Sequence, residues 1–257
     1  LHLCRRLGKP VVLFGQSFGP FASALGRTSA REALSDATWI VARDADSAAC
    51  VAELGVKAPI ECGVDAALTG TPTPLVRWAR GPLLGVTARS WHFPDGGSQD
   101  RYESAMAEAC DAWAQLTGGA VWFLSMCTGF GGYRQDDREA ARRIAGRMLR
   151  PAIVEERDDL GFAETRAQLG SCDLVLGTRM HSLIFANTAG VPGVAVSYEA
   201  KHDAWLEQVG LEGRSVSIAA PDGLGEVLLK AWNDRHVLRA RIAARLPERR
   251  SRAEAQL

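Results

Sequence analysis

Short apolar runs alternate with segments whose apolar positions recur at helical spacing along nearly the whole chain, which predicts a parallel sheet covered by helices. In the first section, Val11–Phe14 reads as a buried strand, Ser29–Asp36 as a helix, Trp39–Ala42 as a strand, Asp46–Leu54 as a helix and Ala58–Cys62 as a strand. The Thr/Pro-rich segment Thr69-Gly-Thr-Pro-Thr-Pro74 interrupts the pattern and marks a linker, giving domains over 1–72 and 73–257. The second section predicts strand Leu83–Ala88, helix Arg101–Leu116, strand Ala120–Ser125, helix Asp137–Leu149 and a short strand Ala152–Val154. Helix Phe162–Leu169, strand Asp173–Leu176, helix Met180–Ala189, strand Gly193–Ser197, helix Ala204–Val209 and a long C-terminal helix from about Gly223 follow. The chain opens in what reads as the end of a helix, Leu1–Leu7, so the first domain is expected to be incomplete. The fold class expected is α/β, with two Rossmann-like parallel-sheet domains facing a cleft.

Composition narrows the functional classes. The 257 residues are 47% apolar and 23% charged, as in an ordinary globular protein, and no apolar run approaches the roughly 18 residues of a membrane span. Thirty basic and thirty acidic residues cancel, which removes the broad positive field of a nucleic-acid binder, so any anionic ligand must be held locally. Six cysteines without a C-x-x-C pair argue against zinc and against a disulfide framework, and reduced thiols in a cytoplasmic protein are expected. The arginine-rich tail Arg235–Arg252 reads as a solvated helix face.

In open parallel sheets, ligands bind beyond the carboxyl ends of the strands. Those edges carry Arg89, then Met126-Cys127, then Thr178-Arg179-Met180-His181, then Tyr198-Glu-Ala-Lys201-His202. The first domain offers Gln16-Ser17, Arg43-Asp44 and Asp65 at its own edges. Arg179 alone would read as a helix-capping arginine and His181 alone as a packed histidine. Together, at a strand-to-helix junction, they place a fixed cation beside a titratable base where the helix dipole attracts anions. The positive helix end disfavours imidazolium, so His181 is expected neutral and able to take a hydroxyl proton. Arginine's planar fork suits Arg89 to a carboxylate or phosphate. Lys201 carries less weight, His202 and His92 less still. Asp136 and Asp137 precede a helix, where capping explains them without a metal. The turn glycines Gly15, Gly19, Gly129, Gly131 and Gly132 match neither a dinucleotide nor a Walker spacing.

Val12-Leu-Phe-Gly-Gln-Ser-Phe-Gly-Pro20, Val41-Ala-Arg-Asp-Ala-Asp-Ser47, Gly177-Thr-Arg-Met-His-Ser-Leu-Ile184 and Pro192–Lys201 resemble the polysaccharide pyruvyl transferase family in order and spacing. The resemblance implies a GT-B-like architecture and transfer of a pyruvyl group from phosphoenolpyruvate to a sugar as a ketal. It implies that Arg179 and His181 are catalytic, that Arg89 binds phosphoenolpyruvate and that Lys201 accompanies it; by their place at strand edges, Gln16, Ser17, Arg43, Asp65 and Tyr198 are expected to bind substrate. No cofactor or metal is implied; the partners would be phosphoenolpyruvate and a sugar, glycan or lipid-linked sugar, with homo-oligomerisation open. A nucleotide-sugar-dependent GT-B glycosyltransferase and a noncatalytic ligand-binding relative are the alternatives.

Overall fold

The computed structural model describes residues 1–70, 77–94, 96–129 and 135–256. The turn glycines Gly131 and Gly132, and Thr71–Pro74 of the linker, lie outside the described residues. The chain divides into two compact units, Leu1–Gly70 with Pro247–Leu257, and Thr71–Leu246.

The first unit runs α1 (His2–Arg6), β1 (Val12–Gln16), α2 (Ala24–Leu34), β2 (Trp39–Ala42), α3 (Ala45–Glu53) and β3 (Ile60–Cys62). Its strands pair in parallel in the order β1-β2-β3, with Ile40 opposite both Leu13 and Ile60. Parallel neighbours require crossovers, and α2 and α3 supply them. Ser23 caps α2 by accepting from the Gly26 amide, and Asp44 caps α3 by accepting from that of Ser47. The Ser23 cap starts α2 well ahead of the predicted Ser29, because Gly26 and Arg27 break the apolar spacing of its first turns. Leu34, Ile40, Val51 and Leu54 form the core, covered by Leu13, Phe18 and Phe21.

The second unit runs β4 (Leu83–Thr87), α4 (Gln99–Thr117), β5 (Ala120–Phe123), α5 (Asp137–Arg147), β6 (Ala152–Val154) and α6 (Phe162–Gly170). It continues with β7 (Leu174–Gly177), α7 (Met180–Thr188), β8 (Gly193–Ser197), α8 (Lys201–Val209), β9 (Ser215–Ser217), α9 (Leu224–Asn233) and α10 (Arg235–Ala255), whose last turns from Pro247 belong to the first unit. All six strands are parallel, in the order β6-β5-β4-β7-β8-β9. Counted from β4, this is the 3-2-1-4-5-6 order of a doubly wound sheet. Every residue of β4 and β7 is buried, as continuous apolar runs covered on both faces must be.

Three expectations are corrected. Strand β9 was not predicted, since Ser-Val-Ser offers a single apolar residue, yet it pairs Ser215 with Ala195 at the edge of the sheet. The long helix from Gly223 is two helices, because α9 ends at Asn233 and Asp234 separates it from α10. The boundary near residue 72 assigned all later residues to one domain, but Pro247–Leu257 belongs with the first unit. There Arg252 donates to the Cys62 carbonyl at 3.3 Å and the Gln256 side chain accepts from the Val64 amide at 3.2 Å. The basic tail is likewise less free than expected: Arg239, Arg241 and Arg245 donate to the carbonyls of Asp173, Gly210 and Glu207.

All six cysteines are free thiols. Burial pushes the Cys172 thiol up to about 12 and raises that of Cys110 as well, so neither is a ready nucleophile. Among the described residues, no helix is long and apolar enough to cross a membrane.

Candidate active site

Strands β4 and β7 are neighbours, with Thr87 opposite Gly177 at their carboxyl ends. They lie where the strand order reverses: β5 and β6 extend to one side of β4, β8 and β9 to the far side of β7. Crossovers that depart in opposite directions leave a crevice at such a point, outside the strand ends. Arg89 follows β4 and Arg179 follows β7, so the topology brings together two residues ninety positions apart.

Arg89 is almost fully buried, and its guanidinium lies 4.8 Å from the centre of the Trp91 ring and 4.7 Å from that of Tyr198. Its Nη2 donates to the Gln135 Oε1 at 3.0 Å, and Arg179 Nη2 reaches the same oxygen at 3.4 Å. One amide oxygen therefore joins the two cations. Among the described residues, Nη1 of each arginine makes no hydrogen bond and is available to an anion.

Arg179 is aimed by Asp137, whose Oδ1 accepts from Nη2 at 2.6 Å and whose Oδ2 accepts from Nε at 3.1 Å. Oδ2 also accepts from the Met126 and Cys127 amides at 3.2 and 3.1 Å. Only Asp136 is the expected helix cap, accepting from the Arg138 amide at 2.9 Å; Asp137, 1% exposed, is the buried counter-ion of Arg179. The sequence carried a faint signal of this, since one cap leaves the second of two adjacent aspartates unexplained. Burial pushes the Asp137 carboxyl above its ordinary value against the pull of Arg179. Burial also weighs against the Arg179 charge, but its bonds to Asp137 carry the guanidinium above its ordinary value, so it stays cationic.

Helix α7 follows the N-cap residue Arg179 without a side-chain cap, and of its first-turn amides that of Ser182 turns back to the Arg179 carbonyl at 3.0 Å; an uncapped helix N-terminus carries the positive end of the helix dipole. Of its nine residues, only His181 is exposed. The histidine is thus not the packed ring that a lone histidine suggests; its ring centre stands 6.2 Å from that of Phe185. The helix is pinned to β4 by a buried 2.8 Å bond between the Thr87 and Ser182 hydroxyls.

Beyond β8, the Tyr198 ring stacks 4.5 Å from Trp91 and 4.7 Å from His202. Lys201 Nζ stands 5.8 Å over the same ring and pairs with Glu199. His202 is fully buried, with Nδ1 3.1 Å from the Glu199 carbonyl and Nε2 3.2 Å from that of Thr178. Burial holds its pKa below the ordinary value, and its place is a brace between β8 and the Arg179 loop. His92 is exposed and stacks on Trp91 at 4.6 Å. Arg89, Arg179, Tyr198 and Lys201 are therefore gathered at one sheet edge, as expected. Trp91, Gln135 and Asp137 complete that edge and were not anticipated.

In the first unit, Gln16 and Ser17 are exposed at the end of β1. The Gln16 carbonyl accepts from the Arg43 amide at 2.9 Å. Arg43 Nη1 lies 3.6 Å from Asp65, and Asp65 caps the turn Ala66–Leu68, so both have structural work within that unit. Among the described residues, no three His, Cys, Asp or Glu side chains are grouped to hold a metal.

The sequence profile of polysaccharide pyruvyl transferases matches residues 1–200. The chain belongs to the polysaccharide pyruvyl transferase family. It is 31% identical over 229 residues to the amylovoran biosynthesis protein AmsJ of Erwinia amylovora, an alignment covering 81% of this chain and 54% of that protein. The chain thus spans about half the length of this curated relative. Among solved structures, it is similar to α,α-trehalose 6-phosphate synthase of Burkholderia multivorans, with TM-score 0.64 and 15% identity over 99% of this chain and 67% of that one. It is also similar to UDP-GlcNAc 2-epimerase of Methanocaldococcus jannaschii, with TM-score 0.57 and 11% identity over 90% of this chain and 65% of that one. These likenesses establish the fold as GT-B-like, with two parallel sheets. In this pyruvyl transferase family chain, the β4–β7 switch point offers two oriented arginines, an uncapped helix N-terminus and an exposed imidazole. Such a set can bind a polyanion, stabilise charge on a leaving phosphate and move a proton.

Proposed function

We propose that the protein transfers the pyruvyl group of phosphoenolpyruvate to two hydroxyls of a sugar during polysaccharide synthesis, forming a ketal. The observation that carries this reading is the convergence of Arg89 and Arg179 on Gln135 at the switch point, beside the open end of α7. Phosphoenolpyruvate presents a carboxylate and a phosphate on one carbon, and two guanidinium forks with free edges suit that pair.

The chemistry balances with the groups present. One sugar oxygen bonds to C2 of the enol phosphate as its hydroxyl proton passes to His181, and the imidazolium so formed returns a proton to C3. The second hydroxyl then bonds to C2 as the C2–O–phosphate bond breaks, and its proton departs with phosphate. His181 is the proton carrier in this scheme, and the arginines stabilise the charge that builds on phosphate. Asp137 positions Arg179 without touching substrate.

The test is phosphate release from phosphoenolpyruvate in the presence of hydroxylated acceptors, with UDP-sugars as the control donor. Acceptor-dependent phosphate release and a product heavier by a pyruvyl ketal are expected. Turnover of UDP-sugars without consumption of phosphoenolpyruvate would overturn the reading.

A further inference from the structure

A cavity of about 330 Å³ opens at the carboxyl ends of β8 and β9, walled by Trp91, Phe93, Tyr198, Glu199, Asp203 and Ser217. We propose that it is the acceptor subsite and takes a neutral pyranose ring. This rests on the pyruvyl-transfer reading, which requires a hydroxylated partner beside the anionic donor.

Position comes first. Trp91 and Tyr198, whose rings flank the Arg89 guanidinium, also wall this cavity, so its occupant lies next to whatever Arg89 holds. Charge then selects the class of ligand. Among the described residues of the wall, the carboxylates are Glu199 and Asp203, which repel a phosphate or carboxylate but accept hydrogen bonds from hydroxyls. Glu199 is already paired with Lys201, whereas Asp203 is exposed and takes bonds from the Ser215 and Ser197 hydroxyls with acceptor capacity to spare. Aromatic rings together with carboxylate and hydroxyl groups in one wall match a pyranose, which has an apolar C–H face and a hydroxyl rim. The volume falls within the small-molecule range, about 300–1,000 Å³.

The wall is also built in advance. Phe93 holds φ 50, a left-handed conformation rare for an aromatic residue. Gly97, at φ +92, lets the same loop press so close that a Cβ there would stand 2.7 Å from the Ala219 carbonyl oxygen. Conformations of this kind persist where the surroundings impose them, and they concentrate at ligand sites.

Saturation-transfer NMR on the whole protein, with methyl α- and β-pyranosides of glucose, galactose and mannose, tests this. The same measurement is made on Asp203→Asn and on Ser217→Phe, which fills the cavity, and phosphoenolpyruvate is titrated separately by calorimetry. At least one glycoside is expected to bind the wild type, with affinity lowered about tenfold in Asp203→Asn. Its signal is expected to vanish in Ser217→Phe, while phosphoenolpyruvate affinity stays the same in both variants. No glycoside binding, glycoside affinity unchanged in both variants, or displacement of the glycoside by phosphoenolpyruvate would overturn the assignment. Failure of phosphoenolpyruvate to bind the wild type would count against pyruvyl transfer, and the glycoside data would still decide the cavity.

Discussion

Arg179 reaches the crevice only as one half of an ion pair, and this sets what its removal costs. Breaking a buried pair strands the remaining charge, so Asp137→Ala is expected to lose about 3 kcal/mol in a urea melt. Adding Arg179→Met should restore most of that stability but none of the phosphoenolpyruvate binding, which separates a structural role for the pair from a functional one. His181 makes the opposite prediction. It is exposed on a helix otherwise buried, so His181→Gln should fold normally, bind phosphoenolpyruvate normally and lose about a hundred- to ten-thousandfold in kcat. A kcat within about twofold of wild type would remove it as the proton carrier. His202 carries a pH dependence instead. Its folded pKa lies below its ordinary 6.5, so as pH falls through 6.5 the unfolded chain takes up a proton that the folded one refuses. Stability should therefore fall as pH drops below 6.5, and urea midpoints of His202→Gln should be flatter over that window. Arg89, Arg179 and His181 were legible in the sequence because strand ends are. Their partners Asp137 and Gln135 lie forty-two and forty-six positions away, and the sequence left of them only the faint trace of a second aspartate beside the cap.

At the scale of elements, the approach of α7 to β7 and β4 fixes where Arg179 and His181 begin. A Cβ on Gly177 would lie 2.6 Å from the Ser182 Oγ and 3.0 Å from Leu183, side chains on the first turns of α7. Gly177→Ala should push that helix end off the sheet, lowering stability by about 1–3 kcal/mol and weakening donor binding together. An unchanged urea midpoint and unchanged phosphoenolpyruvate affinity would contradict this. Periodicity located β4, β7 and β8 almost to the residue, since each is a short, mainly apolar run, and it placed α7 to within one residue of its observed end. It missed β9, whose outer residues are serines, and the break between α9 and α10, where Asp234 interrupts no apolar spacing.

For the whole molecule, the alternation of strands and helices gave the class but not the order of the strands. That order is what matters, because β6-β5-β4-β7-β8-β9 places the ends of β4 and β7 side by side at the reversal point. With thirty basic and thirty acidic residues, no global field supplies the affinity for an anion, so Arg89 and Arg179 must do so locally. Calorimetric titration of phosphoenolpyruvate into the protein and into Arg89→Gln measures this most directly. The wild type should bind, and Arg89→Gln should bind at least about tenfold more weakly, the loss of one charge-assisted contact. Equal affinity in the two proteins, or no binding by the wild type, would contradict a donor site at the β4–β7 switch point.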